Sequence, residues 1–169
     1  EVGVFVGESF SLANPQTRAI GIDPKPRLEF PISDSATIFK ETSDQFFDTQ
    51  NVTAILGKPT VDFAFIDGLH TFDQSLRDFI NLEKYAGPQS IFVFHDCFPC
   101  HPTCAERERR TTFWTGDVWK VVPILKRYRP DLVIQTIKTS PSGLGFVTGM
   151  DPTSTVLEEN FEAIVREYL

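Results

Sequence analysis

Positive charge is scarce in this chain. Sixteen Lys and Arg stand against 23 Asp and Glu, giving a net charge of −7 and a pI near 4.9. Binding to a phosphate backbone rests on clustered Lys and Arg, so a nucleic acid partner is excluded. The single basic cluster, Arg107 to Arg110, is interrupted by Glu108 and reads as a solvated loop. Long apolar runs are missing too. None approaches the roughly 20 residues that span a bilayer, and no signal-peptide pattern opens the chain, which argues against a membrane partner and for a soluble, cytoplasmic protein. Cysteine is limited to Cys97, Cys100 and Cys104, an odd and crowded set that is no disulfide framework and fits a reducing compartment. Tryptophan and tyrosine are few, two and three against 16 phenylalanines, and the phenylalanines fall in presumed strands and helices. They are core, not a base-stacking platform.

What is present is enough for one α/β domain. The 169 residues, 41% hydrophobic and 23% charged, bury a sizeable core and give no sign of a second domain. Short apolar runs at Arg18 to Ile22, Ala36 to Lys40, Val61 to Ile66 and Ser90 to Phe94 read as strands. The last two are nearly unbroken, as in a parallel sheet covered on both faces. Between them, Ser43 is a candidate cap for a helix through Leu56, and Thr71 with Gln74 forms a capping-box pattern for a helix ended by Gly87 and Pro88. Cys97 to Gly116 is a long irregular loop of the kind used as a lid. Asp117 is expected to cap a helix through Tyr128, kinked at Pro123. Leu132 to Ile137 and Leu144 to Val147 are joined too closely for a parallel crossover and must form a hairpin. A last helix, capped by Thr155 and Glu158, places Leu157, Phe161, Ile164, Val165 and Tyr168 on one face.

Polar groups gather where the strands stop. Asp23, Asp67, His70, His95 and Asp96 each follow a run, and ligands of open parallel sheets bind beyond the carboxyl ends of the strands. That placement points to an enzyme. At the start, Glu1 is followed by Gly3 and Gly7, a spacing that lets the backbone turn tightly near a ligand while a carboxylate meets a cationic amino group. It is not the Gly-x-Gly-x-x-Gly of dinucleotide binders.

Taken in order, Glu1-Val-Gly3-Val-Phe-Val-Gly7, Ile20-Gly-Ile-Asp23, Val61-Asp-Phe-Ala-Phe-Ile-Asp67-Gly-Leu-His70 and Phe92-Val-Phe-His95-Asp96 resemble the motifs of class I S-adenosylmethionine-dependent methyltransferases. Within that superfamily they look most like the small-molecule O-methyltransferase branch that includes macrocin O-methyltransferase-like and cephalosporin-hydroxylase-like proteins. The resemblance implies a Rossmann-like doubly wound sheet of order 3-2-1-4-5-7-6 with one antiparallel strand near its edge. Glu1 then stands at the end of the first strand, so the domain over residues 1–169 is expected to be N-terminally incomplete. Either residues upstream complete the central strand, or Val2 to Val6 are drawn into the sheet and the glycine loop is displaced.

The resemblance also assigns roles. Glu1, Gly3 and Gly7 would meet the methionine part of S-adenosylmethionine, Asp23 its ribose, and Ser43 and Asp44 its adenine, with Asp67 also at the cofactor. A plain helix cap is an equal reading of Ser43 and Asp44. Asp67 and Asp96 suit a hard divalent cation, Mg²⁺ above all. His95 stands where an acidic ligand is often found, which leaves a softer metal or none open, and because strand neighbours face opposite ways His95 and Asp96 need not both reach the site, Asp96 being the favoured ligand. His70 is the candidate catalytic base for a substrate hydroxyl, with an unperturbed pKa near 6.5 suited to neutral pH. The expected reaction is methyl transfer to a hydroxyl of a small-molecule acceptor such as a sugar. A metal-independent N-methyltransferase and a non-catalytic binding domain are the alternatives, and a homo-oligomer stays open. In the Cys97 to Cys104 run, Cys-x-x-Cys-His matches a haem attachment pattern and could hold zinc, but a proline-rich lid is the preferred reading.

Overall fold

The computed structural model describes residues 1–169. Its strands are β1 (Ala19–Ile22), β2 (Ala36–Phe39), β3 (Val61–Ile66), β4 (Ala86–Phe94), β5 (Val133–Ile137) and β6 (Leu144–Thr148). Its helices are α1 (Ser43–Thr49), α2 (Val52–Leu56), α3 (Phe72–Glu83), α4 (Val121–Tyr128) and α5 (Val156–Tyr168). β1 and β2 pair in parallel, and a second block runs β3-β4-β6-β5, parallel between β3 and β4 and antiparallel at both edges of β6. One residue joins the blocks. Val2 bridges in parallel to Ile22 on one side and Ile66 on the other. The continuous central strand of the expected order is therefore represented by a single residue, and Gly3 to Gly7 stay outside the sheet as a loop.

That gap has a shape. Below Val2 an apolar cleft of about 820 Å³ opens between β1 and β3, lined among others by Phe10, Ile20, Phe46, Phe63 and Phe65. Phe63, expected to be covered on both faces, is 59% exposed: it pairs with Ile91 of β4, but no strand lies beside it on the β1 side at this level. Of the candidate site residues only Glu1 lines this cleft; Asp67, His70, His95 and Asp96 lie outside it.

The core sits on the other side of β3 and β4. Phe72, Leu76 and Phe79 of α3 recur at one-face helical spacing and are fully buried against Phe92 and Phe94, with the Phe79 ring 6.1 and 5.7 Å from those two. α5 buries Leu157 and Ile164 of the predicted stripe. At the far end of α3, Arg129 and Glu83 form a buried bidentate ion pair at 2.8 and 2.9 Å. Such a pair costs about 3–5 kcal/mol when one partner is removed, because the other charge is stranded.

Several boundaries differ from expectation, each for a local reason. The helix over Ser43 to Leu56 is two helices, since the Asn51 side chain takes the Ala54 amide and starts a new cap. Thr42, not Ser43, caps α1, in a reciprocal box with Gln45. Gly87 and Pro88 lie inside β4 rather than ending α3; the proline is accommodated where the β3–β4 register shifts and before β6 joins. Pro123 is the third residue of α4, where its missing N–H would be unpaired anyway, so no kink is required. Thr155 does not cap α5 through its side chain and bonds Glu159 instead.

The Thr71–Gln74 capping box is also absent. The first turn of α3 is satisfied from far away: Asp117 Oδ1 accepts the buried Phe72 amide at 3.0 Å, so this carboxylate caps α3 and not its own helix. Loss of a buried acceptor costs about 1–3 kcal/mol. Asp117→Ala is thus expected to lower unfolding stability by that amount in denaturant titration, while Thr71→Ala stays within about 0.5 kcal/mol. A larger loss at Thr71 would contradict this assignment.

Candidate active site

The site forms at the carboxyl ends of β3 and β4. Strand alternation leaves open whether His95 and Asp96 both reach it, and both do. β4 has ended at Phe94, and Asp96 adopts φ 61°, a left-handed conformation that releases the side chain from the alternation. His70 at φ 60° and Phe5 at φ 47° are the other non-glycine residues with positive φ. All three lie at this edge of the sheet, where strain is commonly retained for function.

Four side chains converge. Asp67 Oδ1 is 3.2 Å from His70 Nε2 and 3.2 Å from His95 Nδ1. His95 Nδ1 is 3.4 Å from Asp96 Oδ1, and His70 Nδ1 is 3.1 Å from Asp96 Oδ2. Ser142, completely buried in the β5–β6 turn, places its hydroxyl 3.3 Å from His95 Nε2. The ligand atoms of Asp67, His95 and Asp96 lie within 4.8 Å of one another.

Hydrogen positions follow from what each partner accepts. The Trp114 carbonyl, 2.9 Å from His70 Nδ1, can only accept, so that nitrogen carries hydrogen. Nε2 then faces an acceptor-only carboxylate, and the contact is favourable only with a second proton or a cation between them. Burial opposes the charged imidazole, but Asp67 and Asp96 outweigh it and raise the pKa of both His70 and His95. Burial also opposes the Asp67 carboxylate, yet the hydrogen bonds from His70 and His95 bring it down to about 2. Asp96 goes the other way, pushed up by its burial. Its Oδ2 accepts no hydrogen bond, since His70 Nδ1, although 3.1 Å away, directs its hydrogen to the Trp114 carbonyl. A buried unpaired carboxylate oxygen is costly, and a cation would relieve it.

Two glycines let the main chain reach this cluster. A Cβ on Gly3, at φ 87°, would lie 1.9 Å from the Asp67 carbonyl oxygen, and one on Gly116, at φ 58°, 1.7 Å from that of His70. The expected lid is consequently packed onto the site: the Trp114 ring stacks on His70 at 5.4 Å, and Gly116 lies against its backbone. Arg107 is not free either, contacting Asp73 at 2.8 Å and Asp117 at 3.6 Å.

The remaining predicted residues lie in the glycine loop, just after β1 and at the start of α1. Glu1 accepts the Ser9 hydroxyl at 2.8 Å, and burial raises its carboxyl. Gly7 closes the loop at φ 85°. Asp23 holds the Phe5 and Lys25 amides, each at 2.7 Å, one on each oxygen, so it ties down the glycine loop and retains one free lone pair per oxygen. Ser43 and Asp44 open α1 and share the Gln74 amide, at 3.3 and 3.0 Å. That amide also reaches Asp78, a buried carboxyl raised to about 6 chiefly by burial. Ser142, Gln74, Asp78 and the capping role of Asp117 were not visible in the sequence. Gln74 and Asp117 carried a signal as cap residues, but it pointed Gln74 to a capping box that is absent and Asp117 to the wrong helix.

The Cys-x-x-Cys-His run does not gather into one site. Cys97 is buried, with its Sγ directed to the Phe94 and His95 carbonyls, while Cys100 lies beside Cys104.

A Rossmann-like α/β sheet with an acid and imidazole cluster at its carboxyl edge defines the class. Residues 1–97, more than half the chain, match the model of a family described as a methyltransferase domain, and the chain belongs to that family. It is a class I S-adenosylmethionine-dependent methyltransferase. Among solved structures, cofactor-bound Rv0187 from MTB superposes with a TM-score of 0.64 at 15% identity, over 89% of this chain and 71% of that one. A candidate O-methyltransferase from Klebsiella pneumoniae gives 0.63 at 10% identity with the same coverage. At these identities the likeness is one of fold. No curated relative matches the chain. No helix is long and apolar enough to cross a membrane.

The shifts set a pH dependence. His70 and His95, raised above their unfolded value, contribute stability that is complete below about pH 6.5 and lost as pH rises through their folded values. Asp67, lowered, contributes above its unfolded value and loses it as pH falls toward about 2. Thermal melts in chelator should therefore show stability falling from pH 6 to pH 8. A rise over that interval would refute the pairing.

Proposed function

We propose that this domain methylates a hydroxyl of a small polar molecule, with a divalent cation on Asp67, His95 and Asp96 and with His70 as the base. One observation carries the reading: two carboxylates and an imidazole converge on a point where Asp96 Oδ2 is buried and accepts no hydrogen bond. The oxygen-rich donor set suits Mg²⁺ or Mn²⁺, the imidazole favouring the softer of the two.

Glu1, Gly3, Gly7, Asp23, Ser43, Asp44 and Asp67 would hold S-adenosylmethionine, which supplies a methyl group already activated on a sulfonium. The free lone pairs of Asp23 suit ribose hydroxyls, and the Glu1 carboxylate suits a cationic amino group. A cation at the Asp67, His95 and Asp96 set would supply Lewis acidity, lowering the pKa of a coordinated hydroxyl. His70 keeps its Nδ1 hydrogen on Trp114, which leaves Nε2 as the atom that takes the acceptor's proton. Trp114 packs on one face of this imidazole, and the half-exposed Phe113 and Trp119 supply apolar surface nearby for the acceptor. The work of the protein is alignment of donor and acceptor and removal of one proton.

A metal-free reading with a nitrogen acceptor rests on a different observation. His70 and His95 lie within 3.1–3.4 Å of Asp67 and Asp96, so when protonated they compensate these carboxylates and the cluster closes without a cation.

Calorimetry with S-adenosylmethionine, with and without Mg²⁺, separates the readings. Turnover should fall to background in excess chelator and return with Mg²⁺ or Mn²⁺, and Asp67→Asn and Asp96→Asn should both lose the metal response. Full activity in chelator would instead select the metal-free reading. His70→Ala is expected to slow methyl transfer by roughly 100-fold to 10,000-fold with cofactor affinity unchanged, and part of the loss should return at higher pH. Wild-type rates at neutral pH would remove His70 from the chemistry.

A further inference from the structure

The methyl-transfer reading leaves one reactive group without a role. Cys100 Sγ and Cys104 Sγ are 3.7 Å apart across the short turn Pro102–Ala105, both as free thiols. Cys100 is exposed and Cys104 is buried beneath it. The third cysteine cannot compete: Cys97 is buried in the core, its thiol pushed up to about 12 by burial, and a Cβ on Gly145 would lie 2.8 Å from its sulfur.

We propose that Cys100 and Cys104 are a redox-active dithiol, a modification site that a hydroperoxide closes to an intrachain disulfide. The Cys100 sulfur attacks the outer oxygen of the hydroperoxide; the O–O bond breaks, an alcohol or water leaves, and Cys100 becomes a sulfenic acid. The Cys104 sulfur then attacks the Cys100 sulfur, and the S–O bond breaks as the S–S bond forms. The departing hydroxide takes the Cys104 proton and leaves as water. Two thiols are oxidised and one peroxide is reduced. A sulfur–sulfur bond is about 2.05 Å long, so the thiols have less than 2 Å to travel, a movement that rotation of the exposed Cys100 side chain can supply.

The position gives the bond a consequence. The Cys104 carbonyl accepts the Thr115 amide at 3.0 Å, the Gly116 amide at 3.1 Å and the Thr115 hydroxyl at 2.9 Å. These residues follow Trp114, whose carbonyl and ring hold His70. Closing the pair fixes the anchor of the segment that orients His70.

The test is treatment of the whole chain with a small excess of hydrogen peroxide, followed by alkylation, digestion and mass spectrometry. The parent should yield a Cys100–Cys104 linked peptide with Cys97 still alkylated, reversed by a dithiol reductant. Cys104→Ser should instead accumulate a sulfenic acid on Cys100, trapped by dimedone. Cys100→Ser, a change at an exposed position, should leave both remaining thiols free after the same treatment, which keeps the test decisive if Cys104→Ser fails to fold. Linkage through Cys97, disulfide between two chains, or unmodified Cys100 and Cys104 in the parent would each overturn the proposal. All these readouts are independent of methyl transfer.

Discussion

The site depends on what happens at Asp67. Its amide donates to the Val2 carbonyl at 2.8 Å, its own carbonyl lies where only a glycine at position 3 can pass, and its carboxylate takes both His70 and His95. One residue thus joins the glycine loop, the end of β3, the end of β4 and the turn into α3. The cost of concentrating these groups appears in the surrounding shifts: Asp67 is held ionised down to about 2, Asp96 is pushed up by burial, and both imidazoles are pushed toward the charged form. Opposite displacement of neighbouring carboxyls suits a site where protons are shared, and a bound cation would instead pull both carboxyls toward the ionised form.

The segment from Cys97 to Asp117 is a wall of this site more than a cover over it. Trp114, Gly116 and Asp117 meet His70 and the first turn of α3, Arg107 ties the segment to Asp73, and Cys104 anchors it from behind. Its long irregular stretch carries few apolar residues to bury and is held by backbone carbonyls, ion pairs and one stacked indole. That composition reads as a free loop in sequence, because the partners that tie it to the site, His70, Phe72 and Asp73, are distant along the chain.

The apolar cleft and the chemical site are separate features of one sheet. The cleft lies where the two strand blocks are joined only through Val2, and it accounts for the exposure of Phe63 in a strand whose residues are otherwise suited to burial on both faces. Backbone partners in a parallel sheet come from neighbours far apart in sequence, so a strand's apolar character says that it needs cover without saying whether cover is present.

Alternating apolar runs, the hairpin after Leu132, the stripe on α5 and the placing of Asp23, Asp67, His70, His95 and Asp96 at strand ends were all legible in the sequence, because each rests on periodicity or on residues next to one another. The same local logic read the caps of α3 and α5 wrongly and left open whether His95 and Asp96 both reach the site. Tertiary structure decided those points. Asp117 reaches the Phe72 amide from 45 residues away, Ser142 arrives at His95 from a hairpin turn, and Asp96 escapes strand alternation through a left-handed backbone. The chain's own order determines which residues stand at the edge of the sheet, but which of their atoms meet is set by packing contacts between segments that the sequence keeps apart.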